Sequence, residues 1–145
     1  MDTVRDVLAV KGGDVLTIPA TATVLDATRR MNEHKVGAIV ATDPAGNIVG
    51  IVSERDVLRR VVAEQRDPAT TPINAVMTER VVCCPLDTDL HEVQALMRNQ
   101  RIRHLPVVED GRLVGMVSIG DVNAHFAADR EVHIHYLHDY LFGRA

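Results

Sequence analysis

Aromatic residues are scarce in this sequence: two Tyr, two Phe and no Trp make 3% of 145 residues, so the 46% that is apolar is almost entirely aliphatic. A chain of this size supports one modest core and leaves no room for a second large catalytic domain. Only two cysteines are present, Cys83 and Cys84, and no C-x-x-C, which excludes a zinc knuckle and a thioredoxin-like redox motif. Adjacent side chains on a strand point to opposite faces, which disfavours a disulfide between them, and both read as reduced apolar fillers. Positive charge is not in excess either. Sixteen Lys+Arg against twenty Asp+Glu give −4, indicating neither an overall basic field for nucleic acid nor a strongly acidic, disordered composition. No run approaches the length needed to cross a bilayer, and the start, Met1 to Asp6, carries acids before any apolar stretch. These absences predict one cytoplasmic unit without a nucleic-acid or membrane partner.

Catalytic signatures are missing too. There is no Gly-x-Ser-x-Gly, Walker-type loop, His-Glu-x-x-His or dinucleotide glycine motif, so the sequence offers no candidate enzyme.

What is present is the same pattern twice. At an offset of 66, Val15 pairs with Val81, Pro19 with Pro85, Val24 with Leu90, Ala27 with Val93, Met31 with Met97 and Val36 with Ile102. After the turns at Asp43–Asn47 and Asp110-Gly111 the offset becomes 65, pairing Gly50 with Gly115, Ser53 with Ser118 and Asp56 with Asp121. A weaker match at offset 69 sets Val4–Leu8 against Ile73–Met77. Each copy reads as a short strand, a helix, two strands and a closing helix. Val15 to Ile18 is the first strand, closed by Pro19. From Thr23, an N-cap residue, Val24, Ala27 and Met31 recur at helical spacing. The runs Gly37–Ala41 and Ile48–Val52, and Leu105–Val108 and Leu113–Val117, read as hairpins whose strands are apolar on both faces and therefore buried. The expected fold is α/β (α+β): two pseudo-symmetric repeats sharing a core, each a small mixed sheet with helices packed on one side. The expected boundaries are a first repeat over 4–67, a proline-punctuated linker over 68–72, a second repeat over 73–127 and a helical tail over 128–145.

The sharpest feature is Gly50-Ile51-Val52-Ser53-Glu54-Arg55-Asp56, echoed by Gly115-Met116-Val117-Ser118-Ile119-Gly120-Asp121. Each sits where a strand turns into a helix. Two readings fit. In one, Ser caps the helix and the acid three residues on reaches back to the cap. In the other, the same helix start offers N–H groups and a hydroxyl to a phosphate while the carboxylate takes both hydroxyls of a ribose.

With these repeats and motifs on the page, the chain resembles a tandem pair of cystathionine-β-synthase (CBS) domains, a Bateman module, over residues 4 to 127. The resemblance implies two clefts, dimerisation into a flat disc, and binding of an adenosine-containing ligand such as AMP, ADP, ATP or NAD. It places a first ligand site at Thr17, Ile18, Pro19, Val36, Gly37, Ala38, Ser53, Arg55 and Asp56. A second falls at Cys83, Cys84, Pro85, Ile102, Arg103, His104, Leu105, Ser118 and Asp121. The aspartates would hold ribose and the serines phosphate. Arg103-His104 replaces Gly37-Ala38 of the first copy, and a planar cationic fork beside a titratable ring predicts two unequal sites, with the polyphosphate-competent one near Arg103 and His104. Arg55, where the second copy has Gly120, either adds charge to the first site or faces solvent.

The expectation is thus a regulatory nucleotide sensor, a homodimer acting on an unidentified protein target, with a ligand-free scaffold as the alternative. His133, His135 and His138 resemble a metal clip, but no cysteine or acidic triad joins them, and with Ile134, Leu137 and Leu141 they read as a docking helix.

Overall fold

The computed structural model describes residues 2–128. The chain runs α1 (Val4–Lys11), β1 (Thr17–Pro19), α2 (Val24–His34), β2 (Ala38–Thr42), β3 (Ile48–Ser53) and α3 (Glu54–Val57), which continues as a π-helical turn (Leu58–Val62). A 3-10 turn (Ile73–Ala75) opens the second copy, followed by α4 (Leu90–Gln100), β4 (His104–Glu109) and β5 (Arg112–Ser118). Residues 119–128 form α5. This is the mixed α+β arrangement expected, and the tail residues from His133 onward lie outside the described residues.

Local chemistry repeats along with the sequence. The Thr23 hydroxyl accepts the Asp26 N–H at 3.1 Å and opens α2; the Asp89 carboxylate accepts the His91 N–H at 2.7 Å and opens α4. Both helices bury the same three positions, Val24, Ala27 and Met31 in one and Leu90, Val93 and Met97 in the other. Both end on a left-handed residue, Lys35 at φ 54° and Arg101 at φ 55°.

In the first sheet β1 lies parallel to β2, which pairs antiparallel with β3. In the second, β4 and β5 form the antiparallel pair, and the strand equivalent to β1 shrinks to one parallel bridge, Cys84 to Val107. Register shifts fall at equivalent places, Ala41/Thr42 and Val107/Val108. The first strand begins at Thr17, two residues later than its apolar pattern predicts, although Leu16 still packs against the first core and its C=O accepts the Val40 N–H at 3.1 Å. Cys83 is exposed while Cys84 is buried, so only Cys84 fills the core and the expectation for Cys83 is corrected. The strand's alternation sends the two thiols to opposite sides.

The halves are crossed. Val4, Val7 and Leu8 of α1 are buried among Leu90, Val93, Leu105 and Val117 of the second half, whereas Ile73 packs with Ile18, Ile39 and Val52 of the first. Backbone bonds fasten both crossings identically. Val4 and Arg5 N–H donate to Thr88 and Leu86 C=O (3.0 and 2.9 Å), and Ile73 and Asn74 N–H donate to Ala22 and Ala20 C=O (2.8 and 3.0 Å). Burying an aliphatic side chain stabilises by about 1.5–3 kcal/mol, so the three from α1 alone bind the halves strongly. The glycines that precede the Ser-x-x-Asp motifs make the crossing possible. A Cβ on Gly115 would stand 2.5 Å from Leu8 Cδ1, and one on Gly50 would collide with the Met77 side chain. The segment around Pro68–Pro72 is no free tether either: Pro68 and Thr71 C=O accept the Leu25 and Val24 N–H groups that open α2.

Candidate functional site

Both Ser-x-x-Asp motifs close as capping boxes. Ser53 N–H donates to Asp56 Oδ2 at 2.9 Å and Asp56 N–H donates back to Ser53 Oγ at 3.3 Å. In the second copy the same two bonds, between Ser118 and Asp121, measure 2.9 and 3.1 Å. Neither carboxylate is sealed. Asp56 borders a cavity of about 280 Å³ and Asp121 one of about 220 Å³, just below the roughly 300–1,000 Å³ of small-molecule sites.

The crossing decides what shares each cavity. Ser53, Arg55 and Asp56 open onto Val81, Val82, Ile102, Arg103 and His104 of the second half. Ser118 and Asp121 open onto Val15, Leu16, Val36, Gly37 and Ala38 of the first. Grouping by sequence half therefore put partners in different sites: the motif of one copy faces the strands of the other. Arg55 thereby joins Arg103 in one cleft, whereas the sequence reading placed them apart. Thr17, Ile18, Pro19, Cys83, Cys84, Pro85 and Leu105 border neither cavity. Ile18, Cys84 and Leu105 are buried in the core instead.

The larger cleft is strongly basic. Arg55, Arg59 and Arg60 come from α3 and its π-helical turn, Arg80 from the stretch after the 3-10 turn, and Arg101 and Arg103 from the run into β4. Against these six guanidiniums stand two carboxylates, Glu54 and Asp56. The π-helical turn is closed by the Ala63 N–H on Leu58 C=O at 3.0 Å, five residues back. Arg60 is partly committed, donating to Val76 and Met77 C=O at 2.9 and 3.1 Å. Asp56 Oδ1 is held only loosely, by the Thr78 hydroxyl at 3.5 Å and Arg60 Nε at 3.9 Å. That oxygen is available to a ligand hydroxyl.

His104 lies at the junction, bordering both cavities, with its ring against Gly37 and near Glu54. Burial pushes its pKa below the ordinary value, and the opposing pull of Glu54 does not restore it. In the smaller cleft Lys11 Nζ donates to Asp121 Oδ2 at 2.6 Å and to Met116 C=O at 2.8 Å. Partial burial raises the Asp121 pKa, but hydrogen bonds from Lys11 and Ser118 outweigh it and hold the carboxyl below its usual value. Sequence reasoning missed Lys11, Arg59, Arg60, Thr78, Arg80 and Arg101. One signal was available: at offset 69 Lys11 pairs with Arg80, and each lines the cleft of the half it crosses into.

A duplicated α+β unit, crossed at its leading segments and enclosing two composite clefts, defines a class of small tandem-repeat modules. The CBS-domain family model matches residues 4–63 and 73–127, and the chain belongs to that family. A putative signal-transduction protein with CBS domains from Burkholderia ambifaria is 36% identical, with a TM-score of 0.85 over 89% of this chain and 96% of that one. The CBS domain-containing protein CBSX3, mitochondrial, of Arabidopsis thaliana is 34% identical over 97% of this chain and 72% of its own length. The CBS domain pair of protein MJ0100, solved in complex with 5′-methylthioadenosine and S-adenosyl-L-methionine, covers 89% of this chain and 98% of its own at a TM-score of 0.79. At 24% identity that is a likeness of fold.

Proposed function

We propose that this chain is a regulatory module that binds an adenosine nucleotide in the arginine-lined cleft, with Asp56 on the ribose and the guanidiniums on the phosphates. One observation carries the reading: six arginines from both halves converge on the cavity that Ser53 and Asp56 border. Guanidiniums bind phosphate oxygens through paired, charge-assisted N–H donors. A surplus of cations over carboxylates favours ADP, ATP or NAD over AMP, since each added phosphate brings more negative charge into the same field. Because the cleft is built from both halves, occupancy shifts their packing to the extent that ligand prefers one arrangement. Output passes through a homodimer to a protein target. Support for self-association comes from Leu58 and Val62 of the π-helical turn, each 62% exposed, Leu58 lining a groove with Met31, Val36 and Val57.

The test is calorimetric titration with ATP of the full chain and of Asp56→Asn. A hydrogen bond to a charged acceptor is worth about 1.5–3 kcal/mol, so the variant should bind about ten- to a hundredfold more weakly. ATP affinity should also fall between about 0.1 M and about 1 M salt, as the screening length shrinks from about 10 to about 3 Å. The scaffold reading rests on the closed capping boxes, which satisfy both Ser/Asp pairs without ligand. No rise in melting temperature with AMP, ADP, ATP or NAD would decide for it.

A further inference from the structure

Four large apolar side chains are exposed among the described residues, and three of them gather at one place. Val36 and Leu58 line a groove of about 630 Å³ with Met31 and Val57, and Val62 stands about one turn beyond Leu58. A monomer rarely leaves such a cluster to water. The groove's two charges, Lys35 and Glu54, cancel, so it selects for apolar contact rather than for charge. The second half has no matching face, since α5 carries Asn123 where the first copy has Leu58 and Ala127 where it has Val62.

The chain itself holds a segment suited to cover it. Residues 129–145 follow α5 and lie outside the described residues. They contain Tyr136, Tyr140 and Phe142, three of the four aromatic residues in a sequence that is otherwise almost without them. Aromatic side chains are the usual anchors of protein interfaces. Ile134, Leu137 and Leu141 recur at spacings of three and four, and Tyr136 and Tyr140, four apart, fall along one edge of that helical stripe.

This tail leaves from the wrong half to be the groove's natural neighbour. Val122 and Phe126 of α5 pack in the second core, whereas Met31 and Val57 of the groove pack in the first. A twofold pairing that sets the second half of one chain against the first half of another closes both grooves with both tails at once. The area suffices: each aromatic buries roughly 150–250 Å², so the two tyrosines of two reciprocal tails supply roughly 600–1,000 Å². With Ile134, Leu137 and Leu141 added, the exchange reaches the roughly 1,200–2,000 Å² of a stable interface.

We propose that residues 129–145 of one protomer lie in the groove of its partner, with Ile134, Leu137 and Leu141 against Val36, Val57 and Leu58, and that this reciprocal exchange holds a dimer together. It rests on the self-association reading above and names the segment that carries it.

Analytical ultracentrifugation of the full chain and of three single variants tests it. The parent should sediment as a dimer. Leu58→Glu in the groove and Leu137→Glu in the tail should each weaken dimerisation by about tenfold or more. Val10→Glu, at an apolar position of α1 that is 88% exposed, should leave it unchanged within about twofold. Leu58 is exposed and Leu137 lies outside both cores, so neither glutamate threatens the fold. In a Cys83→Ser background, which removes the exposed thiol, a short bismaleimide should link a chain carrying Leu58→Cys and Leu137→Cys to a second copy, doubling its mass on a denaturing gel. A dimer lost to Leu58→Glu but not to Leu137→Glu would mean that the groove pairs with something other than the tail. That outcome, a dimer that survives both glutamates, or cross-links confined to single chains would overturn the exchange and leave self-association standing. A monomeric parent would defeat both.

Discussion

Replacing Gly115 by Ala should destabilise this protein, and the same replacement should stabilise it once Leu8 has been cut back to Ala. A Cβ at Gly115 would lie 2.5 Å from Leu8 Cδ1 and 3.0 Å from Cδ2, inside the roughly 3.5–4.0 Å at which carbon atoms attract. Overpacking of this kind costs about 1–3 kcal/mol. The strand's preference for Ala over Gly offsets about 0.5–1 kcal/mol of it, for a net loss of about 0.5–2 kcal/mol. Leu8 is 9% exposed, so Leu8→Ala alone should cost about 2–3 kcal/mol, toward the low end for buried leucines. In that background the collision is gone, the new methyl fills part of the void, and Gly115→Ala should add about 0.5–1 kcal/mol. Urea unfolding of the four chains, with a common m-value, yields the coupling directly. A coupling of about 1–3 kcal/mol is expected. Effects that add within about 0.5 kcal/mol would mean Leu8 does not lie on β5, and the crossed packing would be refuted.

His104 is pushed below its ordinary value of 6.5 by burial, so the unfolded chain takes up the proton first and the stabilising difference is present above about pH 6.5 and lost as pH falls below it. His104→Gln should flatten that part of the stability curve; urea midpoints with an unchanged slope on the acid side would count against the assignment. Burial raises the Cys84 thiol to about 11 and leaves it 3% exposed, while Cys83 is exposed. A chromogenic thiol reagent should therefore consume one thiol from the folded chain and the second only on unfolding, and two equal fast phases would contradict the burial.

Much of the fold was legible because each half repeats the same local chemistry: a polar cap, apolar positions three and four apart, and two apolar strands, although only β2 and β4 are buried as expected while β3 and β5 bury alternate residues. The crossing was not. Periodicity reports that Val4, Val7 and Leu8 need covering, but either half would bury the same side chains, and no local preference distinguishes them. The clefts inherited that ambiguity. Arg103 and His104 were recognised as cationic and titratable, yet assigned to the motif of their own copy, because nothing in the residues themselves says that β4 faces Asp56. The arginines of the π-helical turn gave still less signal, since Arg59 and Arg60 in a helical stretch read equally well as a solvated face. Both lie on the π-helical turn and line the cavity, Arg60 while bonded to the Val76 and Met77 carbonyls.

The exchange of leading segments also bears on how such a chain can be divided. Splitting it between the two family matches, 4–63 and 73–127, would leave one fragment without Ile73 and the other without α1, so neither would possess everything its own interior requires. Mixed together, the pieces should recombine, each donating its opening residues to its counterpart.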